Sequence, residues 1–303
     1  MHQDFVSLKQ MHLHEDIPVL PHGIHFKSAD FDDAQLTPLS ATNNAVFLIQ
    51  NNEKRFVLKT FAQERMYLRE TQMRDCLRQE TQIHFPKIIE TVQQENVYYT
   101  LMEFITGDSL LDVWRRTGTA PEEDLRRLGH LLADLHSVSL SRAMSFLEPE
   151  TILFSEQYKD QMKQLIMHHV PGINSAIDAC HARIIQAQDT LAQTVIHADF
   201  GPHQVIVADD QWVLLDFEFA TLGSFADDLA GTEARLKRWD YESARFLDGY
   251  FAVHHRREAY EMVRQDFMAY NLLAIITYAL SNSQTIDHED VTRLRDLLTR
   301  SSA

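Results

Sequence analysis

The chain has few of the features that mark secreted or membrane-spanning proteins. Its 303 residues include two cysteines, Cys76 and Cys180. Two are too few for a disulfide framework and indicate a reducing, cytoplasmic setting. Residues 1–5 lack the basic and apolar regions of a signal peptide, so none is expected. The longest apolar stretch, residues 272–280, is too short to span a bilayer and predicts a helix of the protein core.

Basic residues are also scarce. The chain has 28 Lys and Arg against 44 Asp and Glu, a formal net charge of −16, and no Lys/Arg-rich run. This charge argues against nucleic acids and anionic membranes as partners, because both bind basic patches. It permits a cationic substrate. The 16 histidines are scattered and do not have the spacing of a structural zinc site.

The overall composition is that of an ordinary globular protein. Hydrophobic residues make up 45% of the chain and charged residues 24%, which is close to the average for folded domains. A length of 303 residues predicts two domains, or two lobes around a cleft.

The most informative segment is residues 197–218, where two carboxylates lie at the same end of a predicted hairpin. Gly201-Pro202 forces a turn, and the apolar strands within 205–215 predict the hairpin. Asp199 precedes the hairpin and Asp216 follows it. Phosphoryl transfer uses such a set: one carboxylate orients the attacking hydroxyl and receives its proton. The other, with an amide oxygen, holds Mg²⁺ against nucleotide phosphates.

This pattern resembles the catalytic core of the aminoglycoside phosphotransferase and choline kinase-like family, which is related to the protein kinases. The shared features are His-x-Asp at 197–199, an amide five residues later at Gln204, and Asp216-Phe217 beyond the hairpin. The combination is far more specific than a lone His-x-Asp. This chain departs from the family pattern at Gln204, where the family has Asn.

The resemblance covers residues 36–282 and implies a fold of the α+β class. The expected architecture is the two-lobed protein kinase-like fold. A small N-terminal lobe, residues 1–105, would consist of an antiparallel sheet and bind the nucleotide. A larger, mostly helical C-terminal lobe, residues 106–303, would carry the catalytic and substrate-binding groups.

The resemblance also implies a role for each residue of the central segment. Asp199 would be the catalytic carboxylate, while Gln204 and Asp216 would bind Mg²⁺. His197 would brace the catalytic loop. Asp228, in a downstream Asp-Leu-Ala sequence, would support the same loop through backbone hydrogen bonds.

Residues 36–59 predict an antiparallel meander whose first turn, residues 40–44, would lie over the nucleotide phosphates. This turn has no glycine and offers polar side chains instead; the candidates are Ser40, Thr42, Asn43 and Asn44. An ordinary hairpin turn is the alternative interpretation.

Lys59 ends an apolar strand, where the resemblance implies a lysine that reaches the α and β phosphates. A glutamate from the next helix, predicted over 62–82, would hold it. Glu70 is the preferred candidate and Glu64 the second, although a glutamate on a helix usually faces solvent.

Residues 87–105 complete the small sheet and end at a predicted hinge, where the backbone would pair with the adenine. The hinge positions are Met102, Glu103 and Ile105. Asp108 or Ser109 would cap the next helix. Further helices are predicted at 120–136, in two stretches within 150–190, from 223, and at 239–252, 256–281 and 287–300.

The sequence therefore predicts a Mg²⁺-dependent small-molecule kinase that uses ATP or GTP and phosphorylates a hydroxyl. The net charge favours an aminoglycoside-like acceptor, as in antibiotic resistance. A metabolite such as choline, ethanolamine or homoserine is the alternative, with aromatic residues of the C-terminal lobe around a quaternary amine. A nucleotide-binding pseudokinase is a third possibility, because Gln204 displaces the amide oxygen and Mg²⁺ tolerates little geometric error.

Overall fold

The computed structural model describes residues 26, 34–39, 44–51, 54–61, 63–94, 97–147, 155–188, 190–209, 211–282 and 284–300. The strands are β1 (Gln35–Leu39), β2 (Val46–Asn51), β3 (Lys54–Phe61), β4 (Ile88–Gln94), β5 (Val97–Glu103), β6 (Asp108–Ser109), β7 (Gln193–Ile196), β8 (Val205–Ala208), β9 (Gln211–Leu214) and β10 (Thr221–Ser224). The helices are α1 (Glu64–Glu80), α2 (Leu110–Thr117), α3 (Glu122–His136), α4 (Leu140–Ala143), α5 (Glu156–Ile166), α6 (Asn174–Gln188), α7 (Phe225–Arg238), α8 (Ala244–Val253), α9 (Arg257–Ser281) and α10 (His288–Arg300).

The N-terminal part is a five-stranded antiparallel sheet in the order β1-β2-β3-β5-β4. Strand β3 lies at its centre, and Lys59 on this strand pairs with Val46 of β2 and Thr100 of β5. Apolar side chains of these strands form a small core of their own: Phe47, Ile49, Leu58, Tyr99 and Leu101. Lys59 therefore lies on the central strand, which is paired on both sides.

The C-terminal part is mostly helical and contains the larger core. Its best-packed pairs are α3 with α8 and α7 with α9. Two glycines let α3 and α8 approach closely. A Cβ on Gly129 would lie 2.1 Å from the carbonyl oxygen of Phe246, and one on Gly249 would lie 2.1 Å from that of Arg126. Any larger side chain would push these helices apart.

A short connection joins the two parts. A Cβ on Gly107 would lie 2.2 Å from the carbonyl oxygen of Val207 in β8, so the connection crosses that strand where only glycine fits. The next two residues form β6, which pairs with β8. Ser109 then caps α2, because its hydroxyl accepts a hydrogen bond from the Asp112 backbone N–H at 3.1 Å. Of the two predicted caps, Ser109 is the one observed.

The predicted hairpin is confirmed. Strands β8 and β9 pair antiparallel with Val205 opposite Leu214. The loop before β8 and the loop after β9 therefore lie at the same end of the hairpin. These two loops contain Asp199 and Asp216.

The predicted α+β, kinase-like class is also confirmed, and most predicted elements lie within a few residues of those observed. One helix differs: the predicted span 239–252 is observed as Ala244–Val253. Helix α7 ends at Arg238, and the chain then turns back, with Asp240 at φ 60° and Tyr241 N–H donating to Leu236 O at 2.8 Å. This local hydrogen bonding delays the start of α8.

Three of the four predicted phosphate-loop residues, Ser40, Thr42 and Asn43, lie outside the described residues. Within the described ranges, no helix combines the length and hydrophobicity needed to cross a membrane.

Candidate active site

The site is formed by two loops whose backbones are held in an unusual conformation. Ala198, in the loop between β7 and β8, has φ 64°, and Asp216, directly after Leu215, has φ 63°. Residues other than glycine rarely adopt positive φ, which costs on the order of 1–3 kcal/mol. Hydrogen bonds from other elements compensate for that cost in both loops.

Asp228 holds the first loop. Its carboxylate accepts hydrogen bonds from the backbone N–H groups of His197 at 2.7 Å and Ala198 at 2.8 Å. His136 Nε2 lies 3.1 Å from the same carboxylate, and His136 Nδ1 lies 2.8 Å from the Tyr250 hydroxyl. Burial opposes ionisation of Asp228, but the His136 and backbone hydrogen bonds keep its pKa below the ordinary value. The loop is therefore fixed to α7 by an ionised carboxylate.

His197 connects the two loops. Its ring is buried, Nε2 lies 2.9 Å from the carbonyl oxygen of Leu215, and the ring centroid lies 5.3 Å from that of Phe217. Because the side chain touches the second loop while its backbone is bound to Asp228, movement of one loop would displace the other.

Asp199 is the centre of a polar cluster. Its Oδ2 accepts a hydrogen bond from Gln204 Nε2 at 2.7 Å, and His203 Nε2 lies 3.4 Å from the same oxygen. Its Oδ1 accepts one from Arg235 Nη2 at 2.6 Å. Burial would raise the pKa of Asp199, but the Arg235 guanidinium and His203 outweigh it and hold that pKa well below the usual range. Asp199 is an ionised acceptor with both oxygens engaged.

Lys59 reaches the second loop from the sheet. Its Nζ lies 2.7 Å from Asp216 Oδ1, 2.5 Å from Glu218 Oε2 and 3.7 Å from Glu70 Oε2. Burial disfavours the charged amine, but these three carboxylates outweigh burial and raise its pKa. Lys59 is therefore a cation at every physiological pH.

Glu70 is the glutamate of α1 that meets Lys59, whereas Glu64 is exposed. Glu70 Oε2 also accepts a hydrogen bond from the Phe217 backbone N–H at 2.7 Å. Its Oε1 accepts one from Arg74 Nε at 2.9 Å. Burial opposes ionisation, yet Arg74 and Lys59 lower the pKa of Glu70 to about 2. A single carboxylate thus binds α1, β3 and the second loop together.

Glu218, which was assigned no role from the sequence, and Asn44, a candidate of the predicted phosphate-covering turn, belong to the same cluster. The buried Glu218 carboxylate accepts a hydrogen bond from the Asn44 side-chain amide. Burial raises the pKa of Glu218 to about 7. The positive charge of Lys59 acts to lower this pKa, whereas the negative charges of Asp216 and Glu70 raise it. Asn44 is the last residue of the turn predicted to cover the phosphates, so Glu218 joins this residue to the second loop.

Gln204 and Asp216 carry the kinds of oxygen atom, amide and carboxylate, that Mg²⁺ prefers. The Gln204 backbone carbonyl accepts a hydrogen bond from Leu215 N–H at 2.8 Å, so Gln204 is a neighbour of Asp216. The Gln204 amide nitrogen binds Asp199, and Asp216 is one-third exposed. Among the described residues, no group of three or more His, Cys, Asp or Glu could hold a metal ion. One carboxylate and one amide suit Mg²⁺ only where nucleotide phosphates supply further ligands.

The predicted hinge lies at the end of β5. The Glu103 backbone N–H donates to Lys87 O at 3.0 Å, and Glu103 Oε1 accepts from Lys87 N–H at 2.7 Å. Met102 is buried between Val57 and Ile88 in the sheet. Ile105 follows β5 and is partly exposed. The Glu103 N–H is therefore engaged by Lys87 and is not available to pair with a base.

Arg235 and Arg74 are basic residues of the site that sequence reasoning missed. Arg235 lies seven residues after Asp228 in α7, which places both on one face of the helix. Arg74 lies four residues after Glu70, a spacing at which helical side chains meet. In both cases the arginine could have been found by counting helical turns from an acid that had already been assigned, Asp228 or Glu70.

Comparison of the sequence with models of protein families shows to which family the chain belongs. The model of the phosphotransferase enzyme family matches residues 35–264, which is more than half of the chain. The chain belongs to this family. The match includes both loops and Lys59, Glu70, Asp199 and Asp216. No curated protein matches the sequence.

Solved structures of aminoglycoside phosphotransferases and of a kinase family protein have the same fold. One is an aminoglycoside 2'-phosphotransferase-IIIa variant in complex with GDP: 14% identity, TM-score 0.63, 91% of this chain and 93% of that chain. Another is a thermostable mutant of aminoglycoside phosphotransferase APH(4)-Ia with ADP and hygromycin B. It is 14% identical with a TM-score of 0.58, and the match covers 90% of this chain and 96% of that chain. A third is a choline/ethanolamine kinase family protein from Mesorhizobium loti. It is 14% identical with a TM-score of 0.60, and the match covers 87% of this chain and 88% of that chain.

Proposed function

We propose that this phosphotransferase transfers the γ-phosphate of ATP or GTP to a hydroxyl of a small polar molecule, with Mg²⁺. The observation that carries the proposal is the position of Lys59, held by Glu70 and Asp216 at one end of a hairpin whose preceding loop carries Asp199. Relatives of this fold bind ADP and GDP, which supports a nucleotide as the donor. A division into lobes near residue 105 is part of the proposal.

Each residue contributes through position and charge. Lys59 would neutralise the phosphates, and Glu70 fixes its direction. Asp216 and the Gln204 amide oxygen would bind Mg²⁺, which supplies charge neutralisation when bound. Asp199 would orient the acceptor hydroxyl and take its proton as the new O–P bond forms and the bond to the nucleoside diphosphate breaks. His197 and Asp228 hold the loop on which Asp199 depends.

Gln204 does not by itself disfavour activity. Its amide nitrogen reaches Asp199 at 2.7 Å, so the longer side chain still joins the catalytic and metal-binding groups. A pseudokinase remains the outcome to expect if nucleotide binds and no acceptor is phosphorylated. Two free, buried cysteines support a cytoplasmic location.

Aminoglycosides and small metabolites are the two acceptor classes to compare. Aminoglycosides are supported by the net charge of −16 and by the aminoglycoside phosphotransferases of the same fold. Metabolites are supported by the choline/ethanolamine kinase family neighbour.

The proposal is tested by incubating the protein with ATP or GTP and each of a panel of acceptors, and measuring the release of the nucleoside diphosphate. We expect Mg²⁺-dependent turnover of at least one acceptor, and loss of several orders of magnitude in Asp216→Asn. Asp209→Asn is the matched control, because Asp209 is exposed at the far end of the same hairpin and its φ of 50° suits Asn. Equal turnover by Asp216→Asn and Asp209→Asn would contradict the assignment.

A further inference from the structure

Positive charge surrounds Asp199, although the chain as a whole is acidic. Arg235 Nη2 lies 2.6 Å from Asp199 Oδ1, and the Arg235 side chain is only 17% exposed. On the other oxygen, His203 Nε2 lies 3.4 Å away. The negative charge of Asp199 is therefore already balanced before an acceptor binds.

The second nitrogen of Arg235 extends toward α9. A Cβ on Gly231 would lie 3.1 Å from Arg235 Nη1 and 2.9 Å from Asn271 Oδ1. Both groups therefore lie against this buried glycine. A side chain at position 231 would have to displace them, so the glycine lets Arg235 and Asn271 lie side by side, with the Arg235 side chain still 17% exposed.

The buried acid Asp227 interacts electrostatically with Arg235 and offsets its charge only in part. Asp227 Oδ1 accepts a hydrogen bond from Asn271 Nδ2 at 2.8 Å. Burial raises the pKa of Asp227 to about 7, partly offset by Asn271, so this carboxyl is only partly ionised at neutral pH. Another cation lies beyond His203, where the Trp239 ring is 5.6 Å from the imidazole and Arg115 Cζ is 5.9 Å from Trp239.

We propose, building on the function proposed above, that the acceptor carries an anionic group, a carboxylate or a phosphate monoester, which Arg235 binds beside the reacting hydroxyl. A guanidinium presents several N–H donors in one plane and binds such anions in bidentate fashion. The anion shares Arg235 with Asp199 and frees an Asp199 oxygen for the hydroxyl. A polyammonium acceptor would meet this guanidinium at close range and be repelled.

Matched pairs of acceptors test the charge directly. Glycerate and glycerol 3-phosphate are compared with glycerol, and gluconate with glucitol, each with ATP and Mg²⁺; kanamycin is the cationic reference. We expect the anionic member of a pair to have the higher kcat/KM. A hydrogen bond to a charged group corresponds to roughly a 10- to 150-fold difference in affinity. Arg235→Gln should lower the anionic-to-neutral ratio by that factor, mainly through KM.

Arg238→Gln is the control, because it removes the same charge from the same helix where Arg238 binds Asp290 instead. It should leave the ratio unchanged. If Arg235→Gln lowers kcat equally for anionic and neutral acceptors, Arg235 acts on Asp199 or on the phosphoryl group and the inference is wrong. Kanamycin as the best acceptor would also overturn it.

A binding measurement separates this inference from the proposed function. Protein loaded with Mg²⁺ and a non-hydrolysable ATP analogue is titrated calorimetrically with glycerate and with inorganic phosphate. Saturable binding that Arg235→Gln abolishes supports the anion site even if no panel acceptor is phosphorylated, in which case only the proposed kinase function fails. Absent binding, or equal binding by the variant, overturns the inference even if neutral acceptors are phosphorylated.

Discussion

Replacing Lys59 with Met tests the charge balance that joins the sheet to the second loop. The substitution keeps a flexible apolar stem and removes the cation that contacts Asp216, Glu218 and Glu70. Glu70 retains Arg74 as a partner. Glu218 retains the hydrogen bond from the Asn44 amide but loses Lys59, its one cationic partner within the described part of the chain. The buried Glu218 carboxylate is therefore the group whose free energy changes most.

The expected loss of stability depends on pH. Removing one partner of a buried ion pair costs about 3–5 kcal/mol. The pKa of Glu218 is already raised from 4.5 to about 7 by burial, and without Lys59 it rises further. A raised acid pKa means that the folded state holds a proton that the unfolded state releases, so stability falls as pH increases through this window. For one such proton, each pH unit within this window lowers the free energy of unfolding by about 1.4 kcal/mol.

Urea unfolding of wild type and Lys59→Met at pH 6 and pH 8 measures this effect. We expect the variant to lose about 3–5 kcal/mol at pH 8 and about 1–2 kcal/mol less than that at pH 6. Lys54→Met is the control, because Lys54 is exposed at the start of the same strand. A loss that is equal at both pH values, or no greater than that of Lys54→Met, would refute the reasoning.

Three further predictions follow from the site and its supports. Asp228→Ala leaves two backbone N–H groups and buried His136 without their acceptor, so we expect a loss of about 3 kcal/mol or more in chemical denaturation; a loss below 1 kcal/mol would contradict this. Gly129→Ala should destabilise more than Gly118→Ala in thermal melts, because its Cβ meets the backbone at 2.1 Å, whereas Ala at 118 has open space and bears only the strain of φ 73°; the reverse order would contradict this. Gln204→Ala should raise the Mg²⁺ concentration for half-maximal turnover and Gln204→Asn should restore it in part; an unchanged Mg²⁺ requirement would remove Gln204 from the metal site.

The sequence was most informative where function depends on residues close together in the chain. Asp199, Gln204 and Asp216 flank one hairpin, and its pattern of β-branched strands and turns could be recognised without knowing the rest of the fold. Lys59 and Glu70 occupy consecutive elements, a strand and the next helix. Their contact at 3.7 Å was predicted from the resemblance to a family, which encodes long-range geometry that periodicity alone does not supply.

The remaining contacts could not be deduced because they join distant elements through specific side-chain directions. Asn44 and Glu218 are 174 residues apart, and Arg235 and Asp199 are 36 apart. Such pairs depend on how α7 is rotated and how the sheet is placed on the second loop. The net charge of −16 likewise did not indicate that a guanidinium, that of Arg235, pairs with Asp199.

The most direct test of the central claim is transfer of labelled phosphate from [γ-³²P]ATP to small molecules. Wild type, Asp199→Asn and Asp209→Asn are each incubated with Mg²⁺ and a low-molecular-weight fraction of a bacterial extract, and labelled products are separated. We predict a labelled small molecule with wild type and Asp209→Asn, and a loss of several orders of magnitude in rate with Asp199→Asn. A labelled product formed equally fast by Asp199→Asn would contradict the account.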